Sequence, residues 1–139
     1  INITHQTGKK DFEEIKNRYK EAGIAAYVTE FIDDMSTAYR TADLVICRSG
    51  ATSIAEITVC KKPSILIPYP YAADDHQRLN AIELVNAGAA IMLEQDGLTP
   101  NKLANTIIDL KNNPKRLKDM AENAGHIAKP EAAREIWIL

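Results

Sequence analysis

The sequence has no long hydrophobic run. None of its 139 residues falls in a stretch that approaches the roughly 20 apolar residues of a membrane-spanning helix, and its start shows no signal-peptide pattern. Cys47 and Cys60 are the only cysteines, in apolar surroundings and without the spacing of a zinc site. We therefore predict a soluble, cytoplasmic domain with two buried, reduced thiols and no metal or other cofactor.

The chain also lacks an excess of charge of either sign. Its 17 basic and 19 acidic residues leave a net charge of -2, which gives no electrostatic reason to expect a nucleic acid partner. The overall charge balance leaves open a contact with a lipid surface through a local patch of residues. The hydrophobic content of 45% is enough for the core of one domain.

Short β-branched or aliphatic runs alternate with amphipathic stretches, which is typical of a parallel sheet with crossover helices. The strands are predicted at residues 1–4, 25–28, 44–47, 64–67 and 90–93, the third and fourth of them fully buried. Gly23 is predicted to end one helix in the left-handed conformation, and another helix is predicted to lie before Gly88. Thr99 and Asn113, each followed by proline, are predicted to begin two more. The fold class is thus α/β, a Rossmann-like parallel sheet with helices on both faces.

The two ends of the chain indicate part of a longer protein. The sequence begins inside a predicted strand and ends on Trp137, Ile138 and Leu139, apolar residues that a whole protein normally covers. We expect an excised domain or a fragment.

Ligands of an open parallel sheet bind beyond the carboxyl ends of its strands, which here directs attention to the loops 5–9, 29–35, 48–53 and 68–77. In the third loop, Gly50 and small residues precede a helix whose positive end suits a diphosphate without any metal. Small residues at this place are equally consistent with ordinary turn chemistry.

For two polar side chains near these loops, the sequence is consistent with either ligand binding or helix capping. Glu56 could accept hydrogen bonds from two ribose hydroxyls, yet Ser53-x-x-Glu56 is also a capping box. Gln77 suits the hydroxyls of a sugar, but it could instead be the box partner of a capping Asp74. His76 could contact a sugar or phosphate, or be a solvated residue of the first helical turn.

Other motifs are excluded or have a structural explanation. The loop ending at Lys9 lacks the spacing of a phosphate-binding P-loop, because Ile3 occupies the place of its first glycine. There is no G-x-S-x-G or H-E-x-x-H motif. Asp33 and Asp34 are interpreted as a helix cap and a first-turn charge.

Taken together, four segments closely resemble the C-terminal half of the MurG family of N-acetylglucosaminyltransferases, which complete the lipid-linked disaccharide of peptidoglycan. The segments are TEFIDDM at 29–35, CRSGA at 47–51, EI at 56–57 and DHQRLNA at 75–81. The similarity runs from Ile1 to about Arg134 in the family's order. It implies the C-terminal, UDP-sugar-binding half of a GT-B glycosyltransferase over residues 1–139, without its first strand and glycine-rich loop and without the N-terminal acceptor domain.

The resemblance also implies roles for individual residues. Phe31 and Ile32 would flank the uracil, with backbone hydrogen bonds from Ile32, and Glu56 would bind the ribose. Gln77 would match a residue that recognises the hydroxyls of N-acetylglucosamine. The family often has two glutamines at the positions of His76 and Gln77, in a loop that is one residue longer here. The implied substrate-binding residues are Phe31, Ile32, Met35, Ala51, Thr52, Ser53, Glu56, His76 and Gln77.

By the same resemblance, the donor is UDP-N-acetylglucosamine, and the 4-hydroxyl of a lipid-linked acceptor attacks its anomeric carbon with inversion. The catalytic base would lie in the absent domain, so none is assigned here. The whole protein would work at the inner face of the bacterial plasma membrane. Three alternatives stay open, namely a standalone nucleotide-sugar-binding subunit with a membrane partner, a UDP-sugar 2-epimerase domain, and an α/β interaction domain that binds no ligand.

Overall fold

The computed structural model describes residues 1–129, so the predicted apolar tail at Trp137 to Leu139 lies outside the described residues. Five strands alternate with six helices in this part of the chain. In chain order the elements are β1 (Ile3–Gln6), α1 (Phe12–Glu21), β2 (Ala26–Thr29), α2 (Met35–Thr41), β3 (Val45–Cys47), α3 (Ala51–Val59), β4 (Ser64–Leu66), a short 3-10 helix (Ala73–Asp75), α4 (His76–Asn86), β5 (Ala90–Met92), α5 (Pro100–Lys111) and α6 (Pro114–His126).

The chain divides into two compact units, Ile1–Ala38 and Tyr39–Leu139. In the first unit, β1 and β2 pair in parallel from Ile3 opposite Ala26 to Gln6 opposite Thr29. Helix α1 connects the two strands and lies against β2. A parallel pair joined by a helix is one β-α-β unit of the predicted fold.

The second unit contains a three-stranded parallel sheet in the order β3-β4-β5. The central strand β4 is completely buried, and helix α4 packs on β5. The main core cluster joins this sheet to α5 and α6 through Ile65, Leu93, Leu110 and Met120. The predicted α/β class with parallel strands and flanking helices is therefore confirmed.

Two predictions about strands need correction. The first strand covers Ile3–Gln6 instead of residues 1–4, because its pairing with β2 begins at Ile3. The prediction that β3 is fully buried is wrong, since this strand lies at the edge of its sheet and Ile46 is 41% exposed. The cysteines are likewise half-buried instead of buried, and both are free thiols.

The predicted starts of α5 and α6 are confirmed by their caps. Thr99 accepts a hydrogen bond from the Lys102 N–H at 3.1 Å, and Asn113 accepts one from the Arg116 N–H at 3.1 Å. Such caps each stabilise a helix by about 1 kcal/mol. Gly23 has the predicted left-handed backbone, with φ of 68°. No helix within residues 1–129 has both the length and the apolar character to cross a membrane.

Candidate functional site

In the first unit, the loops that follow β1 and β2 run side by side. Backbone hydrogen bonds from the Thr7 N–H to the Thr29 carbonyl, at 3.0 Å, and from the Gly8 N–H to the Glu30 carbonyl, at 2.9 Å, continue the parallel ladder beyond the strands. Phe31 follows directly, with 62% of its surface exposed. An exposed aromatic ring at the carboxyl end of a parallel pair is well placed to pack on a planar ligand.

The Ile32 N–H has a partner that the sequence did not reveal. It donates to the Gln6 Oε1 atom at 2.8 Å. The carboxamide oxygen of Gln6 is the same kind of acceptor as a carbonyl of uracil. A pyrimidine that uses this N–H must therefore take the place of the Gln6 side chain.

The acidic pair before α2 provides the predicted helix cap, but the predicted first-turn charge is wrong, because both aspartates precede the helix. The Asp34 carboxylate accepts from the Thr37 N–H at 3.1 Å and from the Thr37 hydroxyl at 2.6 Å, so it caps the helix. Met35 is the first residue of α2 and is half-buried.

In the second unit, α3 begins one turn earlier than a Ser53 cap would require. Its N-cap is Gly50, which has no side chain to offer, and the first helical hydrogen bond runs from the Ile54 N–H to the Gly50 carbonyl at 3.0 Å. The N–H groups of Ala51, Thr52 and Ser53 thus stand at the helix N-terminus, where backbone donors and the helix dipole favour an anion. The Ser53-x-x-Glu56 capping box is wrong, because Ser53 is already the third residue of the helix.

The Glu56 carboxylate is bound by a tyrosine instead of a backbone N–H. The Tyr39 hydroxyl donates to Glu56 Oε2 at 2.7 Å. Tyr39 is only 5% exposed, whereas Glu56 is half-buried. Burial, followed by the hydrogen bond to Glu56, raises the pKa of Tyr39 above its usual range, so its hydroxyl stays protonated and remains a donor.

A cysteine close to this carboxylate is also kept neutral. Burial first, and then the negative charge of Glu56, raise the pKa of Cys47 to about 11. The thiol is therefore protonated at neutral pH and unsuited to act as a nucleophile. Burial is also the first cause of the raised pKa of Cys60.

Gln77 is fastened to the loop before α3. The buried Ser49 hydroxyl donates to the Gln77 carbonyl at 2.6 Å, and the Asn80 side-chain amide donates to the Ser49 carbonyl at 3.0 Å. The Gln77 Nε2 atom would lie 3.8 Å from a Cβ added to Gly50. The structure therefore brings the predicted sugar-binding glutamine to the N-terminus of α3.

The Gln77 side chain is not part of a capping box. Its Oε1 atom accepts from the Tyr69 N–H at 2.9 Å, and the N-cap of α4 is Asp75, whose side chain makes no capping hydrogen bond. The alternative with a capping Asp74 is wrong. Within residues 1–129, the Nε2 group has no hydrogen-bond acceptor, so its two N–H donors are available for hydroxyls.

His76 stands apart from this junction as the first residue of α4. Its side chain is 67% exposed, and its Nε2 atom lies 3.8 Å from Asp74 Oδ2. An exposed pair at this distance contributes little to stability. A contact between His76 and a sugar stays a prediction.

Arg48 is a residue that the sequence did not single out. Its guanidinium donates to the carbonyls of Ile67 and Pro68, at 3.2 and 3.3 Å, and lies 5.6 Å from the centroid of the Tyr69 ring. Arg48 thereby ties the loop after β3 to the loop after β4. Its hydrogen-bond acceptors are backbone carbonyls, which explains why no side-chain pattern indicated these bonds.

The second unit thus offers three groups with different binding preferences. The N-terminus of α3 suits an anion, the Glu56 carboxylate suits vicinal hydroxyls, and the Gln77 amide suits further hydroxyls. Within the described residues, no cluster of three or more potential metal-binding side chains occurs. The parallel α/β fold around these groups defines a class, the Rossmann-like domain of a glycosyltransferase.

The chain belongs to glycosyltransferase family 28, whose C-terminal domain model matches residues 1–136. Over 98% of its length, it is 56% identical to a protein of Myxococcus xanthus (strain DK1622) named UDP-N-acetylglucosamine--N-acetylmuramyl-(pentapeptide) pyrophosphoryl-undecaprenol N-acetylglucosamine transferase. It is 54% identical, also over 98% of its length, to the protein of the same name from Anaeromyxobacter dehalogenans (strain 2CP-C). It spans 36% of each of these relatives.

Solved structures show the same fold. The crystal structure of Acinetobacter baumannii MurG matches 97% of this chain, and 41% of that protein, with a TM-score of 0.86 and 36% identity. The glycosyltransferase VinC in complex with dTDP matches 88% of the chain, and 29% of VinC, with a TM-score of 0.72. At 16% identity, the second likeness concerns the fold alone.

Proposed function

We propose that this chain is the donor-binding domain of an inverting glycosyltransferase that moves N-acetylglucosamine from UDP-N-acetylglucosamine to a lipid-linked muramyl-pentapeptide. Family membership and the names of the relatives support this proposal. The observation that carries it is the junction at which Ser49 holds Gln77 beside Gly50, at the N-terminus of α3. Carbohydrate and diphosphate chemistry would meet at such a place.

The second unit would bind the ribose, the diphosphate and the sugar. Ala51, Thr52 and Ser53 would receive the diphosphate at the helix N-terminus, and Glu56 would accept hydrogen bonds from the ribose hydroxyls. Gln77 would donate to hydroxyls of N-acetylglucosamine, with His76 in the same first turn of α4. Support comes from the free helix N-terminus and from the absence of a capping role for Glu56 and Gln77.

In the first unit, the uracil would pack beside Phe31 and use backbone groups of Ile32, with Met35 nearby. The exposed ring of Phe31 supports this assignment. Because the Ile32 N–H is engaged by Gln6, binding would exchange one carbonyl-type acceptor for another. Such an exchange keeps the number of hydrogen bonds constant, so uracil would gain mainly through packing.

The part of the reaction assigned to this chain is orientation of the donor and stabilisation of the departing diphosphate. Negative charge grows on UDP as the glycosidic bond breaks, and prearranged N–H donors at a helix N-terminus stabilise such charge. We assign the catalytic base and the acceptor contacts to the rest of the protein. The first strand and the glycine-rich loop of this domain would also belong to that part. The chain's share of 36% of its relatives supports that division.

The same reasoning extends to where the protein works. The names of the relatives include an undecaprenol-linked acceptor, a lipid. We therefore place the whole protein on the cytoplasmic side of the bacterial plasma membrane as a peripheral enzyme. Its partners would be UDP-N-acetylglucosamine and the lipid-linked acceptor.

An NMR titration of this chain with UDP and with ADP tests the proposed donor. UDP should shift the amide signals of residues 31–35 and 51–56, because the first range is assigned to the uracil and the second to the diphosphate and ribose. ADP should leave residues 31–35 largely unaffected. An equal response of both ranges to the two nucleotides would contradict the uracil assignment.

A further inference from the structure

Tyr39 is the one buried residue of α2, and the sequence did not associate it with any site. Its hydroxyl donates to Glu56 Oε2 at 2.7 Å, across 17 residues of chain, from a side chain that is 5% exposed. Both residues belong to the second unit. A buried hydroxyl needs a partner, and here the partner is the carboxylate to which a ligand role is proposed.

This contact restricts the conformations of the glutamate. A glutamate side chain has several rotatable bonds, and a half-buried one can turn its carboxylate in different directions. A short hydrogen bond from a rigid, buried tyrosine holds Oε2 in one place. Among residues 1–129, this is the only hydrogen bond to the carboxylate, so Oε1 and the second lone pair of Oε2 remain for a ligand.

We propose that Tyr39 is a positioning residue for nucleotide recognition, which holds the Glu56 carboxylate in the orientation that accepts the two ribose hydroxyls. The inference rests on the ribose role proposed for Glu56. Prearrangement of this kind lowers the entropy lost on binding, because the carboxylate is ordered before the ligand arrives. Tyr39 would thus affect affinity without touching the nucleotide.

The variant Tyr39→Phe tests the proposal in the full-length transferase, by calorimetric titration with UDP and with 2′-deoxy-UDP. It removes one hydroxyl and keeps the ring. The wild type should prefer UDP, and the variant should lose affinity for UDP by about tenfold, as expected for one charged hydrogen bond. Affinity for 2′-deoxy-UDP should fall less, so that the preference between the two nucleotides shrinks.

Tyr27→Phe is a matched control, because it makes the same chemical change at a tyrosine of β2 that is 68% exposed. It should leave the preference unchanged. An unchanged preference in Tyr39→Phe, or an equal loss for both nucleotides, would overturn the positioning role. If Glu56→Ala also kept the full preference of the wild type, the ribose role itself would fail.

A double-mutant cycle separates positioning from general damage to the fold. In a Glu56→Ala background there is no carboxylate to orient, so Tyr39→Phe should cause no further loss of UDP affinity. A further loss of the same size would show that Tyr39 acts independently of Glu56.

A measurement without any change at Tyr39 complements these variants. In protein carrying isotope-labelled tyrosine Cζ, the Tyr39 signal should move on addition of UDP and move less with 2′-deoxy-UDP. If both nucleotides bind and the Tyr39 signal does not move, the proposed coupling between Tyr39 and ribose binding by Glu56 is contradicted.

Discussion

Replacing Glu56 should affect stability as well as binding, because of its buried partner. In Glu56→Ala, the Tyr39 hydroxyl, which is 2.7 Å from Glu56 Oε2 in the wild type, loses its acceptor, and Tyr39 is only 5% exposed. A buried polar group left without a partner costs about 1–3 kcal/mol. We therefore expect the free energy of unfolding to fall by roughly that amount.

Glu56→Gln should be clearly milder, since its amide oxygen can still accept from Tyr39. In the double variant Tyr39→Phe/Glu56→Ala, neither polar group remains, so stability should recover much of the loss. Urea denaturation of the four proteins, followed by circular dichroism, measures these differences. Glu83→Ala, at an exposed position of α4, is the control for loss of a helical glutamate. Equal stability of the alanine and glutamine variants, or no recovery in the double variant, would refute the reasoning.

Two further predictions concern the backbone. Gln6→Ala should speed hydrogen exchange at the Ile32 amide in the absence of nucleotide, because that N–H loses its acceptor at 2.8 Å, and an unchanged rate measured by NMR would contradict this. Gly88→Ala should destabilise the chain by more than about 1 kcal/mol, since φ is +75° and the new Cβ would lie 2.8 Å from the Asn123 side chain. Gly97→Ala is the control, because Gly97 has a similar φ but open space around its Cβ position. Urea denaturation should show a smaller loss of stability for Gly97→Ala, and equal losses in the two variants would contradict a clash with Asn123.

The fold was largely predictable because its signals are local. The strand runs and the caps at Thr99 and Asn113 depend on neighbouring residues, and the structure confirms them. The start of β1 and the exposure of β3 were not predictable in the same way. Both depend on which strands pair and in what order, a property of contacts far apart in the chain.

The site shows the limits of local patterns more clearly. Ser53-x-x-Glu56 has the spacing of a capping box, yet α3 begins at Ala51, so the pattern falls inside the helix. The real partner of Glu56 is Tyr39, which is 17 residues away on another helix. Likewise, Gln77 is held by Ser49, 28 residues earlier. Such partners follow from packing, which no spacing rule describes.

A crystal structure of the full-length transferase with UDP-N-acetylglucosamine bound tests the central claim most directly. We predict that both carboxylate oxygens of Glu56 lie in the ribose region, within hydrogen-bond distance of its hydroxyls, and that the Gln77 amide contacts the sugar. The diphosphate should lie at the N–H groups of Ala51 to Ser53. A nucleotide sugar bound elsewhere, with Glu56 and Gln77 both free of contact, would contradict the assignment of this domain as the donor site.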